Sequence, residues 1–579
     1  MLKKEIKKWL LVVTLPLTIF VNAQNTPSLQ ASTQQLKSNY TPDYFEISKN
    51  LDIFNAVYRE LNVAYVDGTK PGQLMKTGID AMLNSLDPYT VYYTENDIED
   101  FRYMTTGEYG GIGASVNDIN GKIILSDPAE GFAAHKAGLR AGDQLIGING
   151  INLEGKHTDE IGPLLKGTAG TPIKLKIIKA GQTSPTEYNL VREEIKSKAV
   201  PYSAMLPNGE TGYIKLLSFT ENCSGEVKDA MLTLKGKGCK NLILDLRGNL
   251  GGLLHEAVNI VNFFIEKGQE VVFTKGKIAD WDKTYPAMNN PIDTQIPLIV
   301  LVDENSASAS EIVSGALQDL DRAIILGKRT YGKGLVQQTK DLVYNSKVKI
   351  TVAKYYIPSG RCVQALDYTN KDDEGRVEKV PDSLITAFKT KGGRIVYDGA
   401  GVMPDVKTED ERFSNVLLSL ISKYHIFNYA TDYFLKHPKI SSPQEFSLTE
   451  AEYTDFVNYL KDKDYTYKTR SEVELLDLKK NAEKEKYFAD IKTEYEALVA
   501  KMNSNKKDDL IKHKDEIKEY LESEIVGRYY FEKGRIEFSN RNDNDIKEAT
   551  RLIIDNNKVK IILTTSDKPT KPFNLKKRF

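Results

Sequence analysis

Residues 44–100 carry apolar side chains at helical spacing. Phe54, Val57, Tyr58 and Leu61 form one stripe, and Leu74, Ile79, Met82, Leu83 and Leu86 a second. The stripes predict helices that end at Asp87-Pro88-Tyr89-Thr90, since proline cannot continue a helix. From residue 109 to 192 the pattern changes to short apolar runs between glycine turns. It predicts strands at 123–125, 143–148 and 173–178 and short helices at 132–137 and 161–165. Gly138 is a natural C-cap for the first helix, and Asn149-Gly150 is a hairpin turn. Beyond residue 200 strands and helices alternate: strands at 213–219, 241–246, 298–302, 323–326 and 348–356, helices at 226–234, 253–265 and 311–320. The strands at 241–246 and 298–302 read as buried, and the alternation predicts an α/β core with sites beyond the strand ends. After residue 406 Lys, Glu, Asp and Tyr dominate and glycine nearly disappears. Stretches such as 472–502 read as helices with interspersed charge, either a solvated appendage or a surface that guides substrate or assembly. No internal repeat is present.

At 579 residues the chain is too long for one domain, and three or four are expected. Its 79 basic and 80 acidic residues leave a net charge of −1, which argues against a nucleic-acid partner. The N-terminus changes the picture of location. Lys3, Lys4, Lys7 and Lys8 precede an apolar run at 9–21, and Val21-Asn22-Ala23 then offers a small-residue cleavage site before Gln24. This is the pattern of a secretory signal peptide, and the run is shorter than the roughly 20 apolar residues of a membrane span. No cysteine follows it, so a lipid anchor is not expected. Residues 24–40, rich in Gln, Ser, Thr and Asn, read as a disordered mature start. Cys223, Cys239 and Cys362 are an odd number in an exported chain, so at least one is free or paired elsewhere. Cys223 and Cys239 either bridge or are structural thiols. The six histidines have no metal-ligand spacing and no glycine-rich phosphate loop is present; neither metal nor cofactor is expected.

The chemistry concentrates in three segments. Asp303-Glu304-Asn305-Ser306-Ala307-Ser308-Ala309-Ser310-Glu311-Ile312 follows a buried strand and opens a helix. Ser308 and Glu311 have capping-box spacing, so Ser308 is a helix cap on its own merits. The same helix N-terminus offers N–H groups and positive partial charge that suit an oxyanion. Lys333 stands between Gly332 and Gly334 after the next strand. Taken alone it is a loop lysine, and it becomes a base only where burial or nearby positive charge lowers its pKa. Asp245-Leu246-Arg247-Gly248-Asn249-Leu250-Gly251-Gly252 leaves a further strand, and its glycines can aim N–H groups at a carbonyl oxygen.

Two resemblances follow from these residues. The stretch Gly110-Gly111-Ile112-Gly113 and the run Ala137-Gly138-Leu139-Arg140-Ala141-Gly142-Asp143-Gln144-Leu145-Ile146 resemble a PDZ domain. The three chemical segments, in this order, resemble the carboxyl-terminal processing peptidases, or tail-specific proteases. The likeness spans about residues 52–406. It includes Leu86-Asp87-Pro88-Tyr89-Thr90, Ala353-Lys354-Tyr355-Tyr356-Ile357-Pro358-Ser359-Gly360-Arg361 and Gly401-Val402-Met403-Pro404-Asp405-Val406. It implies an exported serine endopeptidase of the periplasm or envelope, with Ser308 as nucleophile, Lys333 as general base and Gln337 orienting the lysine. The N–H groups of Ala309 and Gly251 would form the oxyanion hole, although Leu250 stands where the family usually has proline. Gly110, Gly111, Ile112 and Gly113 would bind the C-terminal tail of a protein or peptide substrate, with a homo-oligomer or an envelope adaptor as further partners. The implied architecture is multidomain α/β (α+β): signal peptide 1–23, disordered start and helical segment 24–105, PDZ-like domain 106–195, protease core 196–410 and charged helical extension 411–579. Two other functions compete: a non-catalytic PDZ scaffold, and a Ser-His hydrolase using His255.

Overall fold

The computed structural model of the chain describes residues 43–371, 376–409, 413–505 and 508–564. The expected signal peptide (1–23) and disordered start (24–40) lie outside the described residues. Helix α1 (Tyr44–Ala64) starts at Asp43, whose carboxylate accepts from Glu46 N–H, and α2 (Pro71–Asn84) starts on proline. No residue of either helix is buried. The helices stop before Asp87-Pro88-Tyr89-Thr90, and strand Val91–Tyr93, which the helical pattern at 44–100 does not predict, precedes α3 (Ile98–Thr106). That strand pairs antiparallel with Lys347–Tyr356, a partner some 250 residues away that local periodicity does not reveal.

The chain enters and leaves the next domain through one ribbon, Glu108–Gly111 paired with Glu193–Lys196. Between them a six-stranded antiparallel sheet packs with α4 (Ala133–Lys136) and α5 (Thr158–Leu165) around Leu125, Leu139, Leu145 and Leu175. Asn149 and Gly150 both have positive φ, as a tight hairpin turn requires.

The core is a six-stranded sheet in the order Tyr202–Met205, Thr211–Lys215, Asn241–Asp245, Leu298–Val302, Ile324–Gly327, Val406–Lys407. Only the first pair is antiparallel. Successive side chains point to opposite faces. Leu242, Leu244, Val300, Val302 and Ile325 face α6 (Cys223–Gly236), α7 (Leu254–Asn262) and α8 (Ala309–Asp319). Ile243, Ile299, Leu301, Ile324 and Leu326 face the other way. A second, five-stranded sheet carries Leu335–Asp341 and Lys347–Tyr356. All three cysteines are free thiols.

The C-terminal helices are α9 (Asn415–Ser422), α10 (His425–Lys436), α11 (Glu450–Tyr459), α12 (Arg470–Lys484), α13 (Phe488–Asn505), α14 (Asp509–Lys512), α15 (Lys514–Asn540), α16 (Asn544–Ile553) and α17 (Asn556–Thr564). Helices α12 and α13 fit a solvated appendage; among their described side chains only Ala482 is buried. The rest do not. Helices α9, α10, α11 and α15 form their own core around Phe456, Leu521 and Phe538. Ile546, Ala549, Leu552 and Ile553 of α16 cover the second face of the six-stranded core sheet. Helix α16 therefore supplies a layer of the α/β core, which is why these strands are apolar on both faces. The extension also touches the PDZ-like domain: the Phe531 ring meets His135 edge-on at 5.0 Å, and Arg535 pairs with Asp127 at 3.4 Å.

Candidate active site

Three neighbouring parallel strands end together, and each continues into one of the three chemical segments. Asn241–Asp245 leads to Gly251, Leu298–Val302 to Ser308, and Ile324–Gly327 to Lys333.

The serine run is sorted by burial. Ser306 and Ser310 are both 0% exposed, whereas Ser308 is partly exposed. Ser306 Oγ donates to Leu246 O at 2.9 Å, and Ser310 Oγ donates to Asn249 O at 2.8 Å. Two of the three hydroxyls are thus committed to fastening one turn to the next. Ser308 has φ 55° and ψ −110°. Such a backbone is costly for a residue with a Cβ, and it sets the side chain on a sharp strand-to-helix corner. The Tyr355 hydroxyl donates to Ser308 O at 3.2 Å and holds the corner from below.

Glu311 joins the two candidate catalytic residues. Its buried Oε2 accepts from Ser308 N at 2.9 Å and from Lys333 N at 2.8 Å. Oε1 accepts from Thr330 Oγ1 at 2.5 Å and Gly332 N at 2.7 Å. Burial pushes its carboxyl up, against four donors that favour the anion. The capping-box spacing marks Glu311 in the sequence, but as a cap only; its grip on the Lys333 segment is visible only in the fold.

Lys333 is held by packing. A Cβ on Gly332 would meet Ala365 Cβ at 2.4 Å, and one on Gly334 would meet Gln364 N at 2.8 Å, so only glycines allow this approach. Among the described residues no hydrogen bond reaches the amine. Nζ lies instead 4.3 Å from the centroid of the Tyr89 ring. Burial, followed by the nearby Lys349 charge, lowers the amine pKa to about 8, while Glu311 and Asp87 oppose the shift.

The other expected site residues are distributed unevenly. Gly251 has φ 99° and packs so tightly that a Cβ would lie 2.8 Å from Ser308 Cβ and 3.0 Å from Ala309 N. Its N–H, however, donates to Asn249 Oδ1 at 2.9 Å, so in this conformation it is not directed at a substrate oxygen. The Ala309 N–H has no partner among the described residues. Among the described residues Gln337 makes no hydrogen bond to Lys333; its Nε2 donates to Thr351 Oγ1 at 3.2 Å across the strand pair. His255 is exposed on the first turn of α7, with Nε2 3.4 Å from Glu256.

In the PDZ-like domain, the expected glycine loop is partly strand. Gly110 and Gly111 pair with Glu194 and Glu193, and Gly110 N donates to Glu99 Oε2 at 3.2 Å. Gly113, with φ 71°, packs on Phe132. Ile112 alone of the four lines a cleft of about 290 Å³, with Ala114, Val116 and Leu165 around it and Tyr103, Tyr109 and Lys166 also on its wall. Strand pairing with residues 193–196 takes Gly110 and Gly111 out of the loop, and single-sequence patterns do not report that pairing.

Known proteins bear on this geometry. Residues 210–371 match the model of peptidase family S41, residues 124–179 a PDZ domain model, and residues 416–553 that of the probable PDZ-protease C-terminal helical domain. A carboxy-terminal-processing protease of Bartonella bacilliformis is 36% identical over 346 residues, covering 59% of this chain and 78% of that one. A probable CtpA-like serine protease of Staphylococcus aureus is 33% identical over 393 residues, covering 66% and 74%. A solved photosystem II D1 C-terminal processing protease is 27% identical, covering 62% of this chain and 93% of that one, with a TM-score of 0.33.

Proposed function

Because the chain belongs to peptidase family S41, as a carboxy-terminal processing serine protease with a PDZ domain, we propose that it hydrolyses peptide bonds by a Ser-Lys mechanism. The observation that carries this reading is the shared Glu311 carboxylate, which ties the backbone of the one open serine to the backbone of a lysine kept in a dry site. Neutral Lys333 accepts the Ser308 Oγ proton as Oγ attacks the peptide carbonyl carbon. The Ala309 N–H stabilises the oxyanion, joined by that of Gly251 once it leaves Asn249. The lysine ammonium then protonates the departing amine, leaving an acyl-enzyme. Water gives a proton to Lys333 and attacks the ester carbonyl; the ammonium then returns that proton to Ser308 Oγ as the ester C–O bond breaks and the new C-terminus leaves. Gln337 could orient the amine only after leaving Thr351.

Tail recognition belongs to the same proposal. A substrate C-terminus would lie in the cleft beside Val116–Ile119 as an added strand, with its apolar side chain among Ile112, Ala114 and Leu165. Export to the periplasm or envelope, with mature protein starting near Gln24, rests on the N-terminal pattern. A fluorophosphonate probe tests the nucleophile: it should label the wild type and not Ser308→Ala, and labelling of Ser308→Ala would defeat the assignment. Converting a substrate's terminal carboxylate to an amide should slow its cleavage, and equal rates would remove the tail hypothesis. N-terminal sequencing of the envelope fraction checks export.

A further inference from the structure

The resemblance attaches no task to the Leu86-Asp87-Pro88-Tyr89-Thr90 turn, yet the turn reaches the candidate base. Its shape is set locally. Asp87 is buried and its Oδ1 accepts from Tyr89 N and Thr90 N, both at 2.8 Å. Its position is set at long range. Thr90 Oγ1 accepts from Thr351 N at 3.2 Å, and Val91 pairs with Lys349. Strand Lys347–Tyr356 is therefore flanked by the turn's strand on one side and by Leu335–Asp341, which begins two residues after Lys333, on the other. The Tyr89 ring is braced at its far end as well: its hydroxyl accepts from Tyr368 at 3.2 Å, and the two rings meet edge-on at 5.8 Å. On this braced ring sits the Lys333 amine, 4.3 Å from the centroid.

Building on the Ser-Lys reading above, we infer that Tyr89 is a positioning residue for the hydrolytic reaction: its ring is the dry wall that holds the Lys333 amine at the site. A ring face displaces water that would otherwise solvate the ammonium. It returns only a cation–π attraction, which is weaker than the hydration removed. The amine is thus placed without being locked into its charged form. The groups that face it are Lys349, whose charge disfavours the ammonium, and Glu311 and Asp87, which favour it. The phenols of Tyr331 and Tyr368 lie beside Tyr89, and burial raises the Tyr89 phenol, so the ring adds no negative charge at neutral pH.

The test is the pH dependence of kcat/KM on a short peptide, measured for the full chain and for Tyr89→Ala, Tyr89→Phe and Lys333→Ala. Opening the wall should move the rising, acid-side limb of Tyr89→Ala upward by about one pH unit or more, a loss of about tenfold at pH 7 that recovers at high pH. Tyr89→Phe keeps the ring and should keep the wild-type limb. Should the alanine chain not fold, Tyr89→Gln brings a polar group to the amine and repeats the test. A uniform rate loss with an unmoved limb would mean a merely structural role and overturn the inference, as would a Tyr89→Phe profile matching that of alanine. If Lys333→Ala retains activity, the Ser-Lys reading falls and this inference with it. If Lys333→Ala is inactive while the Tyr89→Ala limb stays in place, only the inference falls.

Discussion

Ser308 and Lys333 leave adjacent strands of one sheet, yet opposite forces hold them. The Ser308 corner is built from directed bonds: two buried serine hydroxyls, the Asn249 carbonyl that accepts from both Ala307 N and Ser310 Oγ, the Tyr355 hydroxyl and Glu311. The Lys333 backbone shares the Glu311 anchor, but its amine rests on glycine packing and an aromatic face. Glu311 apart, bonds of the first kind define a geometry through hydroxyl and amide groups that do not titrate near neutrality. Burial of the second kind defines a protonation state and depends on every group that keeps water out. Damage to the serine arm should therefore lower the rate at all pH values, whereas damage to the lysine arm should move the pH profile.

The largest effects break either arm outright. Ser308→Ala and Lys333→Ala should each lower kcat by on the order of 10⁴-fold or more, measured by peptide cleavage. Lys333→Arg should be as inactive, because guanidinium stays protonated; near-normal turnover would refute the base. Next comes Glu311→Gln, which strikes both arms. An amide nitrogen would face donors, so we expect a loss of about 1–3 kcal/mol in denaturant unfolding and a drop in kcat of about 10–100-fold. An unchanged kcat would show that the shared carboxylate is not needed to align the pair.

The wild-type profile separates the arms directly. With the Lys333 pKa lowered to about 8, the neutral amine predominates above that pH. Then kcat/KM should rise with pH, reach half its plateau near 8 and fall about tenfold per unit below. A flat profile from pH 6 to 9 would contradict the base assignment.

A smaller effect probes the serine arm from behind. Arg247, beside the Gly248–Gly251 turn, pairs with Asp245 at 2.7 Å and with Asp543 and Asp545 of the α16 N-terminus at 2.9 and 3.1 Å. Asp545→Asn should lower kcat by a few-fold with the pH limb unmoved; a shifted limb would break the division between the arms. The smallest effect concerns stability. A buried lysine with a lowered pKa destabilises the fold while it is charged. Lys333→Met should therefore raise stability by on the order of 1–2 kcal/mol at pH 7. The gain should shrink as pH rises from about 8 toward the lysine's ordinary value of 10.5, where the unfolded chain is neutral too. A gain constant over that window would separate it from lysine titration.

What the sequence determined by itself is local. Apolar runs placed the strands at 241–245 and 298–302, Asn149-Gly150 placed a turn, and Ser308 with Glu311 placed the start of α8. These follow from backbone sterics, capping and side-chain period, which act over a few residues. Glycines beside Lys333 and before α7 told of close approach, though not of what approaches. Tertiary structure alone decided the rest. It buried Ser306 and Ser310 and left Ser308 open, sent Gln337 to Thr351, turned the Gly251 N–H to Asn249, and brought Tyr89 to an amine more than 240 residues away. It also made a charged C-terminal helix into a layer of the protease core. A hydrogen-bond donor takes whichever acceptor the fold brings near, and burial is shared by segments distant in the chain; neither property resides in any short stretch of sequence.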